Sequence, residues 1–321
     1  MAKQKEVAPE NTKLKNLLQD LQKQHKGAVI SMGNEIEQRA RISSGSKEID
    51  ELIGGGFPCG LYSTIWGSKS CGKTSLCYSS IAEAQKLGKT CLYLDLERSY
   101  DPERAKTFGV DIDALIVAEF AKAEMTMDTI ITLCKEKAVG LIVLDSIQSM
   151  SPTGENEDKK GKEFSVEHDT QALLARKLGQ FFRMSAHYVS TSQCAVLLIG
   201  QSRISLGFIS VEMLTGGNAL LHWSSLILKL RRGKGVDAPM DSKKEYYTDE
   251  NGKDRYKTVK TASGFNLVVK MDKTKVASKR EATELQIPFY FDSGFTKIDV
   301  VEKITKGDKD GDSKNAEEVG K

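Results

Sequence analysis

Residues 67–74 read Gly67-Ser68-Lys69-Ser70-Cys71-Gly72-Lys73-Thr74, between the apolar run Leu61-Tyr62-Ser63-Thr64-Ile65-Trp66 and a helical pattern over residues 74–88. A glycine, four residues and then Gly-Lys-Thr, with a strand before and a helix after, is the pattern of a phosphate-binding loop. Glycines let the backbone wrap an anion so that several N–H groups point inward at a helix N-terminus. On this reading Lys73 reaches the β- and γ-phosphates and the Thr74 hydroxyl ligates Mg²⁺. Gly67, Ser68, Lys69, Ser70, Cys71, Gly72 and Ser75 complete the cradle. An incidental glycine turn would not explain motif and flanks together.

Working outward, Leu141-Ile142-Val143-Leu144-Asp145 is an apolar run ending in a carboxylate. The C-terminal edges of parallel strands are where open α/β sheets bind ligands. Asp145 is therefore the expected partner of Thr74 in holding Mg²⁺, through water. Thr90-Cys91-Leu92-Tyr93-Leu94-Asp95-Leu96-Glu97 is a second buried run ending in acid. Glu97 either polarises a water attacking the γ-phosphate or pairs with Arg98 or Arg104, and spacing leaves both open.

Strand-like runs at 62–66, 90–96, 115–118, 140–144 and 195–199 alternate with helical patterns at 73–87, 127–137 and 170–185. That alternation predicts an α/β fold whose central sheet is mostly parallel and covered on both faces. Runs at 225–231, 264–271 and 284–290 are expected to extend the sheet as antiparallel strands. Residues 237–260 read as an exposed hairpin turning at Asp249-Glu250-Asn251-Gly252. Near the start, Leu14, Leu17, Leu18 and Leu21 fall on one face of a helix over residues 11–26, followed by an extended stretch at 28–32. That apolar face packs either on its own core or on a neighbouring subunit.

The 321 residues carry 47 Lys and Arg against 44 Asp and Glu, a balance of +3 that neither requires nor excludes a nucleic-acid partner. Six scattered cysteines and four dispersed histidines suggest reduced thiols in the cytoplasm and no zinc site. No apolar run is long enough to span a bilayer, and MAKQKEVAPENTK lacks a signal-peptide core, so no membrane association is expected.

Taken together, these segments resemble bacterial RecA, the homologous-recombination strand-exchange ATPase. ISSGSKEID at 42–50 and GGGFPCG at 54–60 are similar to that family's lead-in to its phosphate loop. LDLERSYDPERAKTFGVDID at 94–113 resembles the segment with the catalytic glutamate and the adenine-side aspartate, here Glu97 and Asp101. LIVLDSIQSMSP at 141–152 resembles the Mg²⁺ strand and the start of the first DNA loop. LLIGQSRISLG at 197–207 and TGGNALLHWSS at 215–225 resemble the sensor strand, the second DNA loop and the helix behind it. The likeness covers about residues 12–290.

The resemblance implies a RecA-like P-loop ATPase core at 34–299, an N-terminal polymerisation helix and strand at 1–33, and a disordered charged tail at 300–321. It implies ATP and Mg²⁺ as cofactors. Single-stranded DNA, homologous double-stranded DNA and further copies in a helical filament are the implied partners. Gln201 would sense the γ-phosphate and inform the DNA loops at about 152–169 and 202–218, the second ordering only on its ligand. Arg176, Arg183 and Arg203 would lie near the DNA backbone and Phe208 would wedge between bases. Gly216-Gly217-Asn218 would bind a DNA phosphate. Lys273 and Lys275 would reach the ATP of the adjacent subunit, as an arginine finger does.

The chain departs from the family in places. Cys71 replaces a serine, His222 a phenylalanine, and Arg104 an aromatic expected near adenine; oxidation of Cys71 would block the loop. The second DNA loop is slightly shorter, and the C-terminal region after Asp299 is strongly shortened. The rivals are a ring-forming helicase or clock-type or repair ATPase of the same fold, a DNA-coating regulatory filament, and a nucleoside kinase.

Overall fold

Strands that are apolar at every position can be buried on both faces, and the middle of this chain is built of them. The computed structural model describes residues 9–25, 30, 38–156, 173–205, 211–233, 238–248, 253–276 and 283–295. Helix α1 (Pro9–Gln24) comes first. Strand β1 (Arg41–Ile42), helix α2 (Lys47–Ile53) and strand β2 (Phe57–Pro58) then lead into the core. Ser46 caps α2 by accepting from the Ile49 N–H, and Gly54 closes it in the left-handed region.

The α/β body follows as β3 (Tyr62–Gly67), α3 (Lys73–Lys86), β4 (Cys91–Asp95), α4 (Pro102–Thr107), β5 (Leu115–Ala118), α5 (Ala123–Lys135) and β6 (Leu141–Asp145). Next come the short helix α6 (Thr153–Asn156), the long helix α7 (Leu173–Ser192), β7 (Ala195–Ser205), β8 (Val211–Leu214), α8 (Gly217–Trp223) and β9 (Leu226–Arg232). Among the described residues, strands β10 (Met240–Thr248) and β11 (Asp254–Ala262) pair only with each other, and β12 (Gly264–Thr274) and β13 (Glu284–Tyr290) complete the main sheet.

That sheet runs β13-β12-β9-β3-β7-β6-β4-β5, with β8 paired to the far end of β7. From β5 to β9 every neighbour is parallel, whereas β12 and β13 are antiparallel. Alternate residues serve two cores. Leu141, Val143, Leu197 and Ile65 face the side that includes α2 and α3. Ile142, Leu144, Val196 and Leu198 face α5, α7 and α8. Helix α7 turns Leu178, Phe181, Phe182, Ser185 and Val189 inward at helical spacing. Phe182 is fully buried, with Tyr62 edge-on at 4.9 Å and Trp223 stacked at 6.2 Å.

Two expectations are corrected. The run expected at 225–231 as antiparallel is β9, and it lies parallel to β3. The physical reason is the intervening helix α8, which carries the chain back across the sheet before β9 starts. The segment expected to be the second DNA loop is not irregular throughout. Strand β7 continues to Ser205 and Ser202–Ser205 pairs antiparallel with Val211–Leu214, so its described residues form a hairpin. The extended stretch at 28–32 (except Ile30), residues 157–169 of the segment expected to be the first DNA loop, Phe208, the turn at 249–252 and the tail at 300–321 lie outside the described residues. Among the described residues no helix is long and apolar enough to cross a membrane.

Phe182→Ala would empty a fully enclosed aromatic site, so we expect a loss of about 3–5 kcal/mol in urea unfolding.

Candidate functional site

Parallel register brings β3, β4, β6 and β7 to a common C-terminal edge, where Gly67 lies opposite Gln201 and Asp95 opposite Asp145. The phosphate loop leaves β3 there. A Cβ on Gly67 would sit 2.0 Å from the Leu230 carbonyl oxygen, so no other residue fits so close to β9. Gly72, at φ 94°, turns the loop into α3. The Lys73 ammonium donates to the carbonyls of Gly67 (3.1 Å) and Ser68 (2.7 Å), across the mouth of the loop. Cys71 is fully buried, and burial pushes its pKa up while the Lys73 ammonium pulls it back.

Asp145 is 3% exposed. Its Oδ2 accepts from Thr74 Oγ1 at 2.7 Å and from Tyr93 Oη at 2.8 Å. Burial raises its pKa, the two hydroxyls pull it back, and Glu97 and Asp95 raise it by charge. Asp95 is buried too. Its Oδ2 gathers the Ser99 and Tyr100 N–H groups, which tightens the bend after β4, while its Oδ1 has no hydrogen-bond partner among the described residues. Two adjoining carboxylates, one oxygen uncompensated, beside a threonine hydroxyl make an all-oxygen donor set that suits Mg²⁺.

Glu97, exposed at the end of this bend, accepts from Ser146 Oγ at 2.5 Å and from Gln201 Nε2 at 2.6 Å. The alternative pairing is not what these arginines do: Arg98 lies 3.7 Å from Glu119, and Arg104 donates to Ser75 Oγ at 3.0 Å. Gln201 is itself braced. Its N–H donates to Gln148 Oε1 at 2.8 Å, and Gln148 Nε2 donates to Thr215 at the start of the α8 segment. An amide can donate and accept at once, so Glu97, Gln201, Gln148 and Thr215 form one connected polar line from β4 to α8.

Beside the loop opens a cleft of about 300 Å³, lined by Ser70–Ser75, Arg104, Arg232, Phe265, Phe289 and Phe291. Arg232 donates from Nε to the Ser70 carbonyl at 2.9 Å and lies over the Phe265 ring at 4.5 Å. Asp101 caps α4, accepting from the Glu103 and Arg104 N–H groups, which holds Arg104 at the cleft. A larger depression near Asp50 and Glu83 is shallow and apart from this edge.

On the opposite flank, Lys273 donates to the carbonyls of Leu221 and His222, and Lys275 to that of His222 at 3.1 Å. Both cations thus sit at the C-terminal end of α8, where carbonyls are unpaired. Arg176 and Arg183 are exposed on α7, and Arg203 is exposed on β7 opposite the exposed Met213. Gly217 packs against α7, since a Cβ there would lie 3.0 Å from Ala175 Cβ; Gly216 precedes α8 and Asn218 is exposed.

A family model described as the RecA N-terminal domain matches residues 12–260 of this chain. The chain belongs to the RecA family. It is 35% identical to Protein RecA of Haemophilus ducreyi over 238 residues, covering 71% of this chain and 62% of the relative. Against Protein RecA of Pseudomonas fluorescens it is 38% identical over 215 residues, or 66% and 59%. Against that of Arthrospira platensis it is 31% identical over 293 residues, or 90% and 73%. The chain therefore spans about three fifths of the length of the first two relatives.

Several residues at this edge carried no role in the sequence. Tyr93 had a signal, a phenol inside an otherwise aliphatic strand, because a buried hydroxyl needs a partner. Ser146 and Gln148 lie within three residues of Asp145, and polar residues after a strand end carry no local signal of a role. Arg232, Phe265, Phe289 and Phe291 had none, since only the folded sheet brings their strands to the phosphate loop.

Tyr93→Phe removes one of the two hydroxyls that favour the charged form of Asp145, so its pKa rises further. The carboxylate is the metal-binding form. The acid limb of Mg²⁺-dependent nucleotide binding should therefore move to higher pH, measured with a fluorescent ATP analogue.

Proposed function

We propose that this RecA-family chain is an ATP- and Mg²⁺-dependent DNA-dependent ATPase that polymerises on single-stranded DNA and catalyses homologous pairing and strand exchange. It acts in the cytoplasm. The observation that carries this reading is the bond from Gln201 to Glu97 (2.6 Å), because β7, which bears Gln201, runs on into the hairpin with β8. A side chain at the phosphates is thereby continuous with a surface for DNA.

The phosphate loop binds the triphosphate, with Lys73 exchanging its carbonyl partners for phosphate oxygens. Thr74 and Asp145 would hold Mg²⁺, which would supply charge neutralisation for the triphosphate. Glu97, held by Ser146 and Gln201, orients the attacking water and takes its proton. The cleft of Arg104 and the three phenylalanines takes the base. Arg176, Arg183, Arg203 and the Gly216–Asn218 segment meet the DNA backbone; base pairing, not the protein, then reads the sequence.

Assembly has its own support. Leu14 and Leu17 of α1 are 43% and 56% exposed, and β5 is an edge strand whose Ile116 is 46% exposed. A neighbouring copy covers such surfaces. Lys273 and Lys275 then reach the ATP of that neighbour and neutralise the charge developing on the transferred phosphoryl group.

ATP hydrolysis should be measured with and without single-stranded DNA for wild type, Glu97→Gln and Lys273→Ala/Lys275→Ala. We expect strong stimulation by DNA, a loss of about a hundredfold in each variant, and partial recovery when the two are mixed. Turnover that ignores DNA and survives loss of both lysines would remove the filament reading in favour of a ring ATPase.

A further inference from the structure

We propose that Trp66 and Lys229 are positioning residues that carry the state of the β7–β8 hairpin to the phosphate loop and to Lys273. The proposal rests on the DNA-stimulated ATPase reading above, and concerns a chain of side-chain contacts that crosses four strands through one indole.

Trp66 is the last side chain before Gly67 and is 6% exposed. Its Nε1–H donates to Asp272 Oδ2 at 2.9 Å. Asp272 lies where the β9–β12 register shifts, between Met271 and Lys273. Such an irregularity re-aims the side chains beside it. The indole therefore pins the point that sends Lys273 toward the end of α8.

On the ring itself, the Lys229 ammonium sits 4.7 Å from the centroid. A cation over an indole face is attracted to it, and more so when partly desolvated. The same ammonium pairs with Glu212 at 2.7 Å, the side chains being 20% and 31% exposed. Glu212 belongs to β8, the outer strand of the hairpin. Its carboxyl is held below the usual range, first by the hydrogen bond from Lys229, then by Ser202, with a contribution from the charge of Lys73. Lys270, 3.2 Å from Asp272, closes the far side.

The line Glu212–Lys229–Trp66–Asp272 consists of direct polar contacts and crosses β8, β9, β3 and β12. A hairpin that shifts on DNA draws Glu212 with it. Lys229 follows its counter-ion off the ring, and the indole is freed to move Gly67 on one side and Asp272 on the other. This route is separate from the line through Gln201, Gln148 and Thr215.

The full chain has two tryptophans, so Trp223→Phe leaves Trp66 as the sole indole. In that background we would compare Lys229→Met, Lys229→Arg and Glu212→Gln. Three quantities would be read: binding of a labelled oligo(dT) by anisotropy, the Trp66 emission change when it binds with a non-hydrolysable ATP analogue, and the ratio of DNA-stimulated to DNA-free hydrolysis. The parent and Lys229→Arg should bind, shift emission and be stimulated. Lys229→Met and Glu212→Gln should bind but lose the emission change, with stimulation reduced about three- to tenfold.

Retention of both responses by a Lys229→Met protein that binds oligo(dT) overturns the proposal. Should that variant not fold, Glu212→Gln decides by the same criterion. Loss of DNA binding itself overturns it differently, by making Lys229 a DNA contact. Reduced stimulation with an intact Trp66 response rules out the route through the indole. A parent protein that binds DNA without stimulation defeats the ATPase reading instead, and leaves the Trp66 emission to judge the junction.

Discussion

A carboxylate with almost no access to water must be paired or give up its charge, and Asp145 is in that position. Two hydroxyls hold it. Thr74 arrives on the first turn of α3 and Tyr93 from the middle of β4, so one oxygen atom joins the phosphate-loop helix to two strands. The arrangement needs β4 and β6 parallel and in step, which they are, Asp95 lying opposite Asp145. Once that register is set, Glu97 projects from the bend after β4 and meets Ser146 and Gln201 without further adjustment. The polar edge is thus a consequence of one alignment among buried strands.

The cations of the site share a feature. Lys73 donates to loop carbonyls, and Lys273 and Lys275 to carbonyls at the end of α8. Neutral carbonyls satisfy an ammonium group but bind it less strongly than an anionic oxygen does. Each lysine is therefore ordered by a partner that it can exchange at modest cost.

What the sequence disclosed divides along a physical line. The loop at 67–74, the acid at the end of Leu141–Asp145 and the apolar strands were legible because each is a local pattern: a motif, a terminus, a periodicity. Leu115–Ala118 and Glu284–Tyr290 have the expected bounds. The direction of β9 was not legible, since a short strand reads alike in parallel and antiparallel pairing. The hairpin of β7 and β8 was missed because small, polar residues such as Ser202 and Ser205 suggest a loop until their partner strand is known. Arg232 and the three phenylalanines of the cleft are remote from the phosphate loop in sequence, and no local pattern connects them to it.

Strands β10 and β11 pair with each other through nine residues each and with no other strand among the described residues. The base of this hairpin is closed by the Ser263 N–H donating to the Pro239 carbonyl at 3.0 Å, and Ser263 in turn accepts from Phe291. The ends of the excursion are therefore already held together by the body from which it departs. Lengthening, shortening or exchanging it alters loop-closure entropy only logarithmically and touches neither core. Evolutionary change in chain length, or a grafted label, meets least resistance there, well apart in the chain from the phosphate loop whose geometry tolerates almost none.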